Sequence, residues 1–181
     1  MATDLPGFSN PAPGLEAPLE MLDACHDRIR RQCATLLRLK AHVGAKGVDD
    51  PAKTAARGVL RYFDTAAPHH HQDEEQDLFP ALIESMAGSD PVCIRELTDR
   101  LTNDHRTLER LWRRVRSWLV AIESGKPASA PDEIDSFVET YEQHAKLEEQ
   151  ELLPMAARLL GAEDLDRIGR SMRLRRGITS F

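Results

Sequence analysis

Cysteine is scarce in this 181-residue chain: Cys25, Cys33 and Cys93 are the only three, and no C-x-x-C spacing occurs. An odd, irregular set does not make a disulfide framework. It suits a reducing cytoplasm, where each thiol is expected to serve as small buried filler. Long apolar runs are missing too, none approaching the roughly 20 residues that cross a bilayer, so no membrane partner is expected. Basic charge is not in excess, and a formal net charge of −6 argues against a nucleic-acid partner. Residues 1–16 carry an early Asp4 and no apolar core, which does not read as a secretory signal. Nowhere does the chain alternate apolar and polar residues as a half-buried strand does.

What remains is helical periodicity in a chain long enough to bury a core. Residues 6–18, rich in proline, read as an extended arm. A first amphipathic helix is expected over about residues 18–40, with Leu22, His26, Ile29, Cys33, Leu36 and Leu37 on one face; Gly44 and Gly47 end it. Asp50-Pro51 opens a second helix, with Asp as cap and Pro at the first helical position. Its inner stripe includes Phe63, Ala67, His70, Glu74 and Leu78; Pro68 should bend it just before the histidines. The second helix closes near Gly88, and Asp90-Pro91 opens a third with Leu101, His105, Leu108, Trp112 and Val115 inward. Pro131-Asp132 opens a fourth carrying Phe137, Tyr141, His144, Glu148 and Leu152. Gly161 interrupts the pattern before a short fifth helix and a basic tail, which read as a solvated amphipathic end packed over the rest. The fold expected is all-α, an up-down-up-down four-helix bundle. Residues 1–17 would be the arm, 18–160 the bundle, and 161–181 the short helix and tail.

Two stretches repeat: His70-His71-Gln72-Asp73-Glu74-Glu75-Gln76-Asp77-Leu78-Phe79-Pro80 and His144-Ala145-Lys146-Leu147-Glu148-Glu149-Gln150-Glu151-Leu152-Leu153-Pro154. In each, a histidine precedes a glutamate by four residues, which puts both side chains on one helical face within reach of one metal. Each repeat closes a hairpin whose first helix gives one more histidine, His26 or His105. Taken singly, a His on an apolar stripe is ordinarily a core histidine, and a His-x3-Glu pair is ordinarily a surface pair. Here all six lie in line with core positions. Burying two carboxylates and four imidazoles unpartnered would cost several kcal/mol for each ionised acid. Two cations remove that cost. A set of nitrogen and oxygen donors without thiolate suits iron or manganese better than structural zinc. If His26 and His70 hold one ion, His105 and His144 the other, and Glu74 and Glu148 bridge, each ion has four protein donors and keeps room for an oxo or hydroxo bridge and a small ligand.

These residues resemble the hemerythrin-like HHE cation-binding superfamily over about residues 18–160, in its bacterial form with four histidines and two glutamates. The resemblance implies a non-haem di-iron centre in a four-helix bundle. It departs from the oxygen-carrying hemerythrins of marine invertebrates, which bring a fifth histidine and an aspartate bridge. It is closer to proteins that repair iron centres, though their small cysteine-bearing N-terminal domain is missing from this sequence. Dioxygen, nitric oxide or peroxide are the implied partners. One function is binding or sensing of a diatomic; the alternative is an enzyme reducing nitric oxide or peroxide, or an iron donor in repair of damaged iron-sulfur clusters. Tyr141, one turn before His144, and His71 are candidates to touch a bound ligand without holding the metal. His69 and His71 flank His70, and the 100° step between neighbours points them elsewhere. Glu75 and Glu149 read as surface or supporting groups, and His42 lies outside the site. Reductant and oligomeric state stay open.

Overall fold

The computed structural model describes residues 17–86 and 92–178, and every regular element within them is helical. The expected N-terminal arm, the end near Gly88 and the Asp90-Pro91 start signal lie outside the described residues. Helix α1 runs Pro18–Lys46, opening on a proline whose missing N–H would have no helical partner there. It is longer than the expected 18–40 because Gly44 stays helical. Gly47 ends it at a φ of 80°, a conformation that suits glycine, with its N–H on the Val43 carbonyl.

The second rod, α2, covers residues 50–85. Asp49 rather than Asp50 is its cap, accepting the Ala52 N–H at 2.9 Å. The rod comprises α-helical stretches Asp50–Arg61, Ala67–Asp73 and Phe79–Ser85, joined by two wide π turns, Tyr62–Ala66 and Glu74–Leu78. Each wide turn precedes a proline, Pro68 or Pro80. A proline ring collides with the carbonyl four residues back, and widening the turn relieves this by shifting the bonding to five residues: Ala67 N–H to Tyr62 O, and Phe79 N–H to Glu74 O. The bend expected at Pro68 is thus taken up as a wide turn. Helix α3 is Val92–Glu123. Helix α4 joins Glu133–Leu147 and Leu153–Leu159 through a third π turn, Glu148–Leu152, before Pro154. Helix α5 is Ala162–Arg175.

Four rods close into a ring: α1 packs on α2 and α4, and α3 packs on the same two. Ion-pair ladders give their directions. Along α1 and α4 the pairs are Lys40–Asp135, Arg30–Glu142 and His26–Glu149; along α2 and α3 they are Arg57–Glu123, Asp64–Arg116 and Glu75–Arg106. Numbers rise on one rod as they fall on its neighbour, so both pairs are antiparallel. Two apolar clusters fill the bundle. One is built around Leu36, Phe63, Leu108, Val115 and Phe137, the other around Leu22, Leu78, Leu101, Leu152 and Met172. Between them lies a buried polar layer, which only strong internal partners can sustain.

Three expectations about the core change. Leu37 is exposed, because it stands one 100° step from the buried Leu36. Trp112 is half-buried, while Trp118 is buried and donates its indole N–H to the Ala128 carbonyl. Cys93 is exposed rather than core filler. The basic end also differs from a solvated face. Arg167 and Arg170 pair with Asp164 and Asp166 at the surface, but Arg175 and Arg176 turn inward onto Asp73, which is fully buried.

Candidate metal centre

All six predicted donors arrive in the polar layer, each 0–1 % exposed. His26 comes from α1, His70 and Glu74 from α2, His105 from α3, and His144 and Glu148 from α4. Their donor atoms fall into two groups in which every atom lies within 4.8 Å of the others: His26, His70, Glu74 and Glu148, and Glu74, His105, His144 and Glu148. The two glutamates are common to both. Each opens a π turn, a local widening often found where a helix carries function.

Separations and angles decide what the group suits. His70 Nε2 lies 3.1 Å from Glu74 Oε1, His105 Nε2 3.3 Å from Glu74 Oε2, and His144 Nε2 3.4 Å from Glu148 Oε1. Yet His70 Nδ1 and Nε2, Glu74 Oε2, His144 Nδ1 and Glu148 Oε1 have no hydrogen-bond partner among the described residues. The atoms are close without aiming at one another. Two ligands at right angles on one ion, each about 2.1 Å away, stand about 3.0 Å apart. Direct hydrogen-bond contacts join only His26 Nε2 to Glu148 Oε2 and His105 Nε2 to His144 Nε2 among these donors, at 2.8 and 3.1 Å; the spacing of the atoms left over suits cations.

Outside this layer, the second glutamate of each repeat orients a histidine from the other half of the chain. His26 Nδ1 donates to Glu149 Oε1 at 3.1 Å, and His105 Nδ1 to Glu75 Oε1 at 2.7 Å. Arg30 grips both oxygens of Glu149 at 2.7 and 2.9 Å, and Arg106 holds Glu75 at 2.6 Å. With the proton fixed on Nδ1, both histidines turn the Nε2 lone pair toward the centre, the usual support for a metal-bound imidazole. His26 Nε2 lies 2.8 Å from Glu148 Oε2, so both atoms face the space between the donors. The doubled Glu-Glu in each repeat was the only sequence signal for this role. Asp104 stands 3.7 Å from His144 Nδ1 and adds a weaker carboxylate on that side.

Charge is unevenly shared. Burial, reinforced by Glu148, pushes the Glu74 carboxyl well above its ordinary range. Burial works against ionised Glu148 as well, but His144, His26 and His105 outweigh it and hold that carboxyl low. Burial also lowers His70 and His105, while Glu148 and Asp104 overcome burial and raise His144. The chain's own cations balance one carboxylate of the two, leaving a place for metal charge.

His71 stands nearer than the helix turn suggested. Its ring stacks on His105 at 3.9 Å between centroids and 13° between planes, and it joins His105 and His144 in a third donor group. The reason is the bundle itself: α2 borders both α1 and α3, so the 100° step from His70 leads to the next helix. Tyr141 is buried beside His71, at 5.9 Å, and packs edge-on against Phe137. Both line a cavity of about 290 Å³. His69 and His42 stay outside every donor group.

The family model of the hemerythrin HHE cation binding domain matches residues 17–156, which include all six donors. The chain belongs to the hemerythrin HHE cation-binding family. An uncharacterized protein of Haemophilus influenzae is 32 % identical over 162 residues, covering 89 % of this chain and 91 % of the relative. Membership makes this hemerythrin-like chain a metal-binding helical protein, in line with its donor groups. No helix among the described residues is long and apolar enough to cross a membrane.

Proposed function

We propose that this hemerythrin-like chain is a cytoplasmic, up-down-up-down four-helix bundle over residues 18–160, holding two non-haem iron ions and binding a small diatomic, dioxygen or nitric oxide, for sensing or redox stress handling. The observation that carries it is the sharing of Glu74 and Glu148 by both donor groups. His26 and His70 would hold one ion and His105 and His144 the other, with both glutamates spanning the pair. Ferrous ions held this way supply electrons and open coordination positions to a diatomic. Helix α5, Ala162–Arg175, packs over the end of the bundle.

The surrounding residues do the rest. Glu149 and Glu75 keep the Nδ1 protons of His26 and His105 in place, and Arg30 and Arg106 keep those glutamates aimed. Apolar clusters on both sides keep bulk water out of the layer. A second reading, reduction of nitric oxide or peroxide, draws on the cavity beside His71 and Tyr141, which gives reactants a way in.

Anaerobic loading followed by metal analysis tests the centre, and optical spectra with dioxygen, nitric oxide and peroxide then separate the two readings. Two irons per chain are expected, with Glu74→Ala or Glu148→Ala losing at least one. Full occupancy in both variants would refute the shared-glutamate assignment. A dioxygen adduct stable for hours in air supports the carrier or sensor, and rapid oxidation supports the enzyme.

A further inference from the structure

The residue before the shared glutamate differs between the two repeats: Asp73 in the first, Leu147 in the second. Asp73 is fully buried yet joins none of the donor groups. Its partners come from α5. Arg175 and Arg176 both donate to it, Arg176 Nη2 to Oδ2 at 2.6 Å. Arg175 Nη2 goes on to Asp77 Oδ2 at 2.8 Å and Gln76 Oε1 at 3.2 Å. The grip therefore spans the π turn Glu74–Leu78, from the residue before it to Asp77. In the second repeat Leu147 packs against the apolar cluster, and Glu151, the counterpart of Asp77, is exposed.

Helix α5 holds these arginines ready. Ile168 and Met172 are buried in the cluster around Leu22, Leu78 and Leu152, which fixes the helix on the bundle. Gly177, at a φ of 72°, closes its end. There the Ile178 N–H donates to the Arg173 carbonyl and the Gly177 N–H to that of Leu174, a pairing that stops a helix firmly. Arg176 also donates to the Met172 carbonyl at 2.9 Å. On the other side of the contact, a π turn is a rare form of helix, and Glu74 opens this one. Glu74 Oε2 has no hydrogen-bond partner among the described residues, so the direction of its carboxyl falls largely to the backbone that carries it.

We propose that Asp73, Arg175 and Arg176 are positioning residues for the centre: α5 clamps the π turn of the first repeat and thereby sets the Glu74 carboxyl among the donors. The inference deepens the two-ion reading above and rests on it. The sign of the effect separates positioning from charge. Deleting two cations near the donor layer should, by charge alone, tighten the binding of a metal cation. Losing the hold on Glu74 should loosen it.

The test compares wild type, Arg175→Ala/Arg176→Ala, and the same pair with Asp73→Ala added, which strands no buried charge. Ferrous affinity is read anaerobically by competition with a chromogenic chelator, below the melting range of all three chains. Amide exchange is followed by mass spectrometry on the metal-free proteins. Both variants should bind iron about tenfold to a hundredfold more weakly than wild type, and the triple variant should stay weak although it melts closer to wild type. In the triple variant the amides of Glu74–Leu78 should exchange faster, while those of Glu148–Leu152 keep their wild-type rate. A triple variant that binds iron as tightly as wild type or more so, or whose two turns change alike or not at all, overturns the inference while wild type holds two irons. Fewer than two irons in wild type overturns the two-ion reading and this inference with it.

Discussion

Removing Arg175 and Arg176 should destabilise the whole bundle, because among the described residues they are the cations that pair with a buried carboxylate. Asp73 is fully buried on α2, one residue before Glu74, and accepts hydrogen bonds from both guanidinium groups. Arg176 Nη2 donates to Oδ2 at 2.6 Å, and Arg175 reaches further to Asp77 at 2.8 Å. Arg175 and Arg176 are 13 % and 18 % exposed, so water screens the pairs little. Breaking a buried pair by deleting one side costs about 3–5 kcal/mol, since the remaining charge is stranded. For a chain of this size each kcal/mol is worth about 2–4 °C, so Arg175→Ala/Arg176→Ala should melt roughly 6–20 °C lower. The assay is thermal unfolding by circular dichroism on chelator-treated protein, where metal adds nothing to the folded state. Adding Asp73→Ala to the double variant should recover more than half of the loss, because the stranded charge is then gone. A double variant melting within about 2 °C of wild type, or a triple variant no better than the double, would refute the reasoning.

Two further outcomes follow from the shifted groups. Glu74 and His144 are raised and hold protons that a cation must displace, whereas His70 is lowered and already neutral; iron affinity should therefore rise with pH, up to about tenfold per unit for each proton displaced. Chelator competition at pH 6 and pH 8 measures this, and equal affinities would contradict the assignment. Burial pushes the Cys25 thiol up and the Cys33 thiol up to about 12, so neither forms the reactive thiolate at neutral pH. Iodoacetamide should label one thiol of the native protein, the exposed Cys93, and three after unfolding; fast labelling of all three in the native state would show the bundle to be looser than this.

The six candidate donors were legible because their spacing is local. A histidine four residues before a glutamate on one helical face needs no knowledge of any other helix, and alignment with Phe63, Leu78, Phe137 and Leu152 told which way the face points. Residues whose role depends on a partner far along the chain were not legible in that way. Glu149 meets His26 across 123 positions and Asp73 meets Arg176 across 103, distances over which spacing carries no signal. His71 was misdirected for a related reason. A helix wheel treats every direction away from the stripe as solvent, but α2 has two neighbours, and the step away from α1 ends at α3 and the cavity.

The prolines show where local and global information meet. In both repeats a proline follows the donor glutamate by six residues, Glu74 to Pro80 and Glu148 to Pro154. A ring at that place cannot accept an ordinary α turn before it, and the structure answers with a π turn that begins on the glutamate. The widened turn leaves the preceding stretch, with its His-x3-Glu spacing, α-helical, and places the next glutamate, Glu75 or Glu149, against a histidine of a neighbouring helix. Both glutamates of the Glu-Glu pair then have separate tasks, one among the donors and one behind them. A proline in a helix is ordinarily read as a break. Here, recurring at the same offset from two buried carboxylates, it is the sequence mark of the turn that lets one helix serve the centre and its support together.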